Sequence, residues 1–201
     1  MKITKTMIMM LAGLFLATSL YAQYEVGDKV KDFKLENING EMVSLADFDE
    51  AEGFIVVFTC NTCPYAKKYE ERIIALDKKY AKKGYPVVAI NPNCVKKQPG
   101  DSMDAMKERS KEKDYSFVYL KDYGQEVAKQ FGAERTPEIY LVEKKNDGMY
   151  VVYTGTIDNN VDDPSKADKH YVEDAVDALM AGNKVELAET KAVGCTIKWS
   201  E

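Results

Sequence analysis

Short apolar runs alternate with longer amphipathic stretches along most of the chain. Five of these runs are rich in β-branched and aromatic residues, which is the composition of strands. They are "FIVVF" (54–58), "PVVAI" (86–90), "FVYL" (117–120), "IYLV" (139–142) and "YVVYTG" (150–155). The first four show no polar alternation, so we expect strands that helices bury on both faces.

Four other segments have apolar residues at helical spacing. They span 64–84, 102–114, 124–132 and 168–182. The clearest stripe, which should pack in the core, consists of Tyr65, Tyr69, Ile73, Leu76 and Tyr80. Ahead of the first strand, Asn39-Gly40 separates two alternating runs, which is a hairpin signal. The order predicts an α/β fold with a central mixed sheet, helices on both faces and an N-terminal β-hairpin.

The first 22 residues have a different character. Lys2 and Lys5 precede an apolar stretch at 7–17, and small residues end at Ala22. This pattern is typical of a secretory signal peptide, and its apolar part is short for a permanent anchor, although an uncleaved anchor stays open. We therefore expect a signal peptide at 1–22, one domain at 23–182 and an arm at 183–201 packed on it. The expected location is periplasmic or secreted, in a bacterial cell envelope, with no stable membrane anchor once the signal is removed.

Charge and cysteine content narrow the function. The 201 residues carry a net charge of −5 and show no basic patch with interleaved aromatic residues, so we expect no nucleic-acid partner. Four cysteines are too few for disulfide bonds to stabilise a chain of this length, so a packed core must do so. We expect the domain to be monomeric. Outside the cytoplasm, cysteines form structural disulfides or are kept for redox work.

The motif "FIVVFTCNTCP" places Cys60 just after a buried strand and Cys63 in the first turn of the next helix. A helix N-terminus favours a thiolate, and ligands gather at the carboxyl ends of strands in α/β sheets. Zinc would need two more ligands, and the only histidine, His170, lies far along the chain. A purely structural bridge would close too short a loop to stabilise much. We therefore expect a redox couple, with no metal and no cofactor.

Thr136-Pro137 precedes the strand "IYLV". Proline cannot join a central ladder, so it should lie at the start of that strand, where a cis peptide bond is one option. The backbone of Thr136 would then be free to pair with an extended substrate segment. Thr136 and Pro137 are the candidate substrate-binding residues.

A CxxC after one strand and Thr-Pro before another resembles the thioredoxin-like superfamily over residues 26–182. "VGDKVKDFKLENINGEMVSLADF", "CNTCPYAKKYEERI" and "GAERTPEIYLV" are more similar to its redoxin branch, the alkyl hydroperoxide reductase/thiol-specific antioxidant family. The ending "VGCTIKW" is similar to a peroxiredoxin-like group that carries a CxxC. The resemblance implies a thiol–disulfide oxidoreductase with a protein or small-molecule thiol or disulfide partner. Cys60, expected to be the more exposed thiol, would attack, and Cys63 would resolve the mixed disulfide.

Two alternatives stay open. Cys63 matches the peroxidatic position of peroxiredoxins, but Cys60 replaces their threonine, Val56 lies near the place of a proline, and Pro137 lies where their arginine is expected. We therefore expect peroxidase activity to be weak. A copper-binding chaperone would combine the cysteine pair with His170.

The remaining cysteines are Cys94 and Cys195. Cys94 follows the second strand, at the same end of the sheet as the CxxC, and we expect a half-buried spectator. The arm should bury Val193, Ile197 and Trp199 on alternating positions, with the only tryptophan as its anchor. Cys195 would be either a buried small residue or a third thiol near the other cysteines, which passes the disulfide onward or pairs with Cys94.

Overall fold

The computed structural model describes residues 23–200, so the expected signal peptide at 1–22 lies outside the described residues. The strands are β1 (Lys29–Val30), β2 (Lys34–Asn37), β3 (Met42–Ser44), β4 (Gly53–Phe58), β5 (Val87–Asn91), β6 (Val118–Lys121), β7 (Arg135–Thr136), β8 (Glu138–Lys145), β9 (Gly148–Gly155) and β10 (Cys195–Thr196). The α-helices are α1 (Pro64–Tyr80), α2 (Met103–Lys113), α3 (Glu126–Phe131) and α4 (Tyr171–Met180). Within the described part of the chain, no helix is long and apolar enough to cross a membrane.

Eight strands form one mixed sheet in the order β1-β9-β8-β4-β5-β6-β2-β3, and β10 pairs with β7 in a separate ribbon. The central strands β4, β5 and β6 are parallel. Antiparallel strands extend the sheet on both sides, β8 and β9 beyond β4, and the β2–β3 hairpin beyond β6. The predicted mixed α/β sheet and N-terminal hairpin are confirmed.

The two faces of the sheet carry separate apolar clusters. Every residue of β4 and β5 is buried, as the absence of polar alternation predicts. Successive side chains of β4 point to opposite faces, so Phe54 and Phe58 belong to one cluster and Ile55 to the other. Helices α1, α2 and α4 cover the Ile55 face, whereas α3 covers the Phe58 face through Phe131. Helices therefore lie on both faces, as expected.

The stripe predicted for α1 is correct except at its first member. Tyr69, Ile73, Leu76 and Tyr80 are buried. Tyr65 is 37% exposed, so the prediction that it packs in the core is wrong. The second residue of α1 lies beyond the last residue of β4, and its ring faces Lys68, whose Nζ is 5.9 Å from the ring centre.

The C-terminal arm packs on the domain. Its backbone bonds to Thr154 of β9 through residues 188 and 190, and β10 then pairs with β7. Ile197 is only 3% exposed and Trp199 is half-buried against the Phe58-face cluster. Val193 is 38% exposed, so its predicted burial is wrong: it lies in the stretch that crosses from β9 to β7 without pairing to either strand.

Candidate active site

The two cysteines of the CxxC motif lie where β4 gives way to α1. Cys60 follows the last residue of β4 by two positions, and Cys63 is the residue that caps the N-terminus of α1. Cys63 has extended backbone angles, and Pro64, as the first helical residue, lacks an N–H that no carbonyl would have accepted. The motif thus lies at the carboxyl end of the sheet and at a helix N-terminus.

The Thr136–Pro137 peptide bond is cis, and β8 begins at the next residue. Thr136 is fully buried and contacts both thiols. Its Oγ1 is 3.2 Å from the Sγ of Cys60, and its carbonyl oxygen lies 3.1 Å from the Sγ of Cys63, from which it accepts a hydrogen bond while Cys63 carries its proton. The fold therefore brings together two motifs that are 73 residues apart in the sequence.

Both thiols of the motif are buried, with exposures of 5% for Cys60 and 4% for Cys63. Cys60 is therefore not the clearly more exposed thiol that the sequence predicts, because both thiols are covered to nearly the same extent. The physical reason is the C-terminal arm, because Cys195 packs against the cluster formed by Cys60, Cys63 and Ala66. Exposure cannot decide which sulfur attacks a partner.

Hydrogen bonding separates the two thiols instead. The thiol of Cys60 is the largest influence that lowers the pKa of Cys63, followed by the thiol of Cys195 and the backbone N–H of Ala66, with burial acting in the opposite direction. Donation to Cys63 raises the pKa of Cys60, and burial and the carboxylate of Asp101 raise it further. The negative charge of the reduced pair is therefore favoured on Cys63.

Cys195 completes a group of three sulfurs with Cys60 and Cys63, which we call the thiol cluster. Cys195 lies opposite Thr136 in the antiparallel pairing of β10 with β7. Burial, followed by its hydrogen bond to Cys63, raises the pKa of Cys195 to about 11, so this thiol is protonated at neutral pH. Cys94 is half-buried and is not part of the cluster.

A buried carboxylate fixes the turn between the two cysteines. Asp101 is fully buried, and its Oδ1 accepts the backbone N–H of Asn61 at 2.7 Å. Its Oδ2 accepts the hydroxyl of Thr62 at 2.8 Å. The side-chain amides of Asn91 and Asn93 donate to the same carboxylate at 3.2 and 2.8 Å. The carboxylate of Asp101 thus accepts four hydrogen bonds, two of which hold the dipeptide inside the CxxC in place.

The sequence did not single out Asp101, because "KKQPGDS" reads as a surface loop. Its partners Asn61 and Thr62 are about 40 residues away, so only the fold shows the contact. The sequence carries a weak signal in "AINPNC", where one asparagine ends an otherwise apolar strand and a second follows two residues later. Lys121 belongs to the same network: its Nζ donates to the carbonyl of Asn93 at 2.5 Å, and burial lowers the pKa of Lys121 to about 8.

The geometry gives no support to the copper alternative. Within residues 23–200, no group of three His, Cys, Asp or Glu side chains, the thiol cluster included, is arranged so that it could hold a metal ion. His170 is exposed and precedes α4, so it does not join the cysteine pair.

The arginine nearest to the Thr-Pro motif is Arg135, whose Nη1 donates to the carbonyl of Gly194 in the arm at 3.0 Å.

Comparisons with known proteins agree with this geometry. The family model described as AhpC/TSA family matches residues 26–153. The thiol-disulfide oxidoreductase ResA of Bacillus thuringiensis is 27% identical over 128 residues, which are 63% of this chain and 68% of ResA.

Two solved structures extend the comparison. An uncharacterised conserved protein from Geobacillus kaustophilus is 32% identical, with a TM-score of 0.80 over 89% of this chain and 94% of its own. The thioredoxin domain of a thiol-disulfide oxidoreductase from Bacteroides vulgatus is 15% identical, with a TM-score of 0.55 over 67% of this chain and 90% of its own. The second likeness concerns the fold alone, and it shows that the fold is thioredoxin-like.

The role given to Asp101 predicts a stability effect. Asn at position 101 would offer one acceptor and one donor where four donors converge, so at least one buried donor would lose its partner. We expect Asp101→Asn to lower the free energy of unfolding by about 2–4 kcal/mol, measured by urea denaturation of the reduced protein. Asp49→Asn makes the same chemical change at an exposed loop residue and should have little effect. Equal effects of the two substitutions would contradict the role of Asp101.

The thiolate on Cys63 predicts a titration. We expect the ultraviolet absorbance of the reduced protein to report a thiolate that ionises well below the ordinary cysteine range. The titration is done in a Cys94→Ser background, because backbone N–H groups, that of Lys97 first, also lower the pKa of Cys94. Cys63→Ser should remove the signal, whereas Cys60→Ala and Cys195→Ala should raise its midpoint by removing donors. A signal that survives Cys63→Ser would assign the thiolate to another sulfur.

Proposed function

Because this chain belongs to the AhpC/TSA family, we propose that it is a thiol–disulfide oxidoreductase whose redox couple is Cys60 and Cys63. The observation that carries the proposal is the contact of both thiols with Thr136, which lies two residues before the strand beside β4. The name of the 27%-identical relative, thiol-disulfide oxidoreductase ResA, supports the same activity. The CxxC and the ending "VGCTIKW" support a place in the peroxiredoxin-like group described above.

The charge distribution assigns the roles of the two sulfurs. The Cys63 thiolate attacks one sulfur of a partner disulfide, so that a mixed disulfide forms and the other partner sulfur leaves as a thiolate. The Cys60 thiol gives its proton to that leaving thiolate and attacks the Sγ of Cys63. The Cys60–Cys63 bond then forms, the mixed disulfide breaks, and the partner leaves reduced. This order reverses the one expected from sequence, because Cys60 has the higher pKa.

The same steps in reverse oxidise a partner dithiol. Either way, the reacting partner is a protein or small molecule with a thiol or a disulfide. Thr136 and Pro137 are the proposed substrate-binding residues, since the backbone of β7 can pair with an extended segment. No metal or cofactor takes part in the proposed exchange.

Export is part of the proposal. It is supported by the basic, apolar and small-residue order of residues 1–22, which is the pattern of a secretory signal. A disulfide-forming couple also suits the oxidising periplasm or the cell exterior.

Peroxidase activity is the less favoured candidate. Activation of a peroxide requires donors that polarise the O–O bond next to the reactive sulfur. Cys60 stands where the hydroxyl donor would be, and the guanidinium of Arg135 is bonded to Gly194.

We expect thiol–disulfide exchange to depend on both cysteines. In an insulin-reduction assay, Cys63→Ser should lower the rate about 100-fold or more, since it removes the attacking thiolate. Cys60→Ser should lower it less, by about tenfold, since it removes only a resolving thiol. Cys94→Ser is the matched control and should keep the wild-type rate. Wild-type activity no greater than that of Cys63→Ser would contradict the proposal.

We also expect slow reaction with hydrogen peroxide, because the activating donors are missing. Trp199 is the only tryptophan and lies four residues from Cys195, so its fluorescence can follow oxidation in a stopped-flow experiment. The rate should be near that of an ordinary cysteine thiolate. A rate that approaches those of dedicated peroxidases, and that disappears in Cys63→Ser, would show that this chain is a peroxidase.

A further inference from the structure

The C-terminal arm occupies the edge of β7 that the proposed function assigns to a partner. β10 runs antiparallel to β7, with Cys195 opposite Thr136 and Thr196 opposite Arg135. The backbone N–H of Ile197 continues the ladder to the carbonyl of Glu134 at 2.9 Å. An extended partner that pairs with this edge would present its own cysteine in the same way.

The arm lies very close to the Thr-Pro motif. A Cβ atom at Gly194 would lie 2.4 Å from the carbonyl oxygen of Thr136 and 3.0 Å from the nitrogen of Pro137. The Nη1 of Arg135 also donates a hydrogen bond to the carbonyl of Gly194. Glycine is therefore needed just before Cys195, because any side chain would push the arm away from the thiol cluster.

Both ends of this stretch are anchored. Upstream, the N–H of Thr190 donates to the carbonyl of Thr154, and downstream Ile197 is buried in the core. The N–H of Lys198 donates to the side chain of Asn93 at 2.8 Å, and the N–H of Ser200 to that of Gln125 at 2.7 Å. The arm is a positioned strand, so ordering Cys195 beside the CxxC needs no further loss of chain entropy.

The three cysteines of the thiol cluster differ in how accessible they are to a partner. Cys60 and Cys63 are almost inaccessible, whereas Cys195 is only partly buried and packs against the cluster formed by Cys60, Cys63 and Ala66. A disulfide held between Cys60 and Cys63 would be shielded from a partner. A disulfide that includes Cys195 would lie nearer to the surface, on a segment held by a short ribbon.

We propose that the arm is a tethered substrate strand and that Cys195 is a third redox-active thiol, which exchanges with the Cys60–Cys63 disulfide to give a Cys63–Cys195 disulfide. This proposal rests on the proposed function of the CxxC couple. It assigns to Cys195 the task of carrying the disulfide between the buried pair and an external thiol or disulfide partner.

The exchange balances without any added oxidant. The Cys195 thiolate attacks the Sγ of Cys63, the Cys63–Cys195 bond forms and the Cys60–Cys63 bond breaks. Cys60 leaves as a thiolate and takes up the proton that Cys195 released. The number of disulfides is unchanged. A partner thiolate then attacks the Sγ of Cys195, forms a mixed disulfide with it and frees the Cys63 thiolate.

The test uses Cys60→Ser in a Cys94→Ser background, treated with glutathione disulfide. Cys63 attacks the reagent and becomes glutathionylated, and Cys195 then displaces the glutathione. Tryptic cleavage after Lys34, Lys67, Lys191 and Lys198 places Cys63 in peptide 35–67 and Cys195 in peptide 192–198. We expect mass spectrometry to find these two peptides joined by a disulfide. A free Cys195 thiol at the end of the reaction overturns the proposal, whether or not Cys63 carries glutathione.

A matched variant confirms the origin of the bond. When Cys195 is also changed to Ser, the glutathione adduct on Cys63 should persist, because no thiol remains to displace it. Circular dichroism of each variant shows whether it is folded. Mapping of the oxidised wild-type chain, which needs no substitution, should show the joined peptides as well, and their absence there would count against the proposal.

Kinetics separate this inference from the proposed function. If the CxxC couple is not redox-active, wild type and Cys195→Ser will both fail in the exchange assay. If the couple works without the arm, Cys195→Ser will exchange as fast as wild type or faster, since the arm would then only cover the site. We expect Cys195→Ser to keep the Cys60–Cys63 disulfide but to turn over about tenfold more slowly than wild type.

Discussion

The pairing of β4 with β8 is the contact on which the rest of the site depends. Phe58, the last residue of β4, lies opposite Glu138, the first residue of β8. Cys60 lies two residues after Phe58, and Thr136 lies two residues before Glu138. Because β4 and β8 are antiparallel, this register brings the sulfur of Cys60 next to the hydroxyl of Thr136. A slip of one residue would turn the alternating side chains of β4 to the wrong faces and lose both apolar clusters. The hydrophobic core therefore enforces the geometry of the thiols.

The polar network around Asp101 fixes the turn of the CxxC motif and also influences the charge of its thiols. A buried carboxylate is unfavourable unless donors replace its water, and Asp101 has four of them. Two of these donors belong to the turn between the cysteines, one is the last residue of β5 and one lies two residues after it, so the turn is tied to the adjacent strand. The same negative charge opposes ionisation of Cys60. One side chain thus fixes the shape of the CxxC and biases where its charge resides.

The sequence was sufficient for the parts of the structure that depend on local pattern. Runs such as "FIVVF" predicted buried strands because their composition leaves no polar face, and the placement of the CxxC and of Thr-Pro followed from those strands. It failed where exposure depends on a distant segment. The position of Cys60 after a strand predicts that it is the more exposed thiol of the pair, but the arm that covers both thiols lies about 135 residues later. Asp101 was missed for the same reason.

The charge on Cys63 also bears on the direction of the reaction. The neighbouring Cys60 thiol holds the pKa of Cys63 in the folded, reduced protein well below the ordinary cysteine range. A group with a depressed pKa stabilises the fold fully above its ordinary pKa, and this stabilisation is lost as the pH falls through the folded value. At neutral pH the reduced state therefore gains from its thiolate. Neither possible disulfide contains that thiolate, so neither shares the gain.

Stabilisation of the reduced state alone makes the couple more oxidising than a pair of ordinary thiols. Cys60 and Cys195 do not cancel this effect, because the pKa of each is raised above the ordinary cysteine value and both thiols are protonated at neutral pH. In the oxidised state, Cys60 and Cys195 are alternative disulfide partners of Cys63. In the reduced state, both lie beside the Cys63 thiolate. Conversion of one disulfide into the other replaces one S–S bond by another. The equilibrium between the two disulfides therefore depends on the free energy of pairing the arm with β7, compared with the free energy of closing the short CxxC ring. A partner that displaces β10 from β7 would therefore shift the disulfide back to Cys60–Cys63.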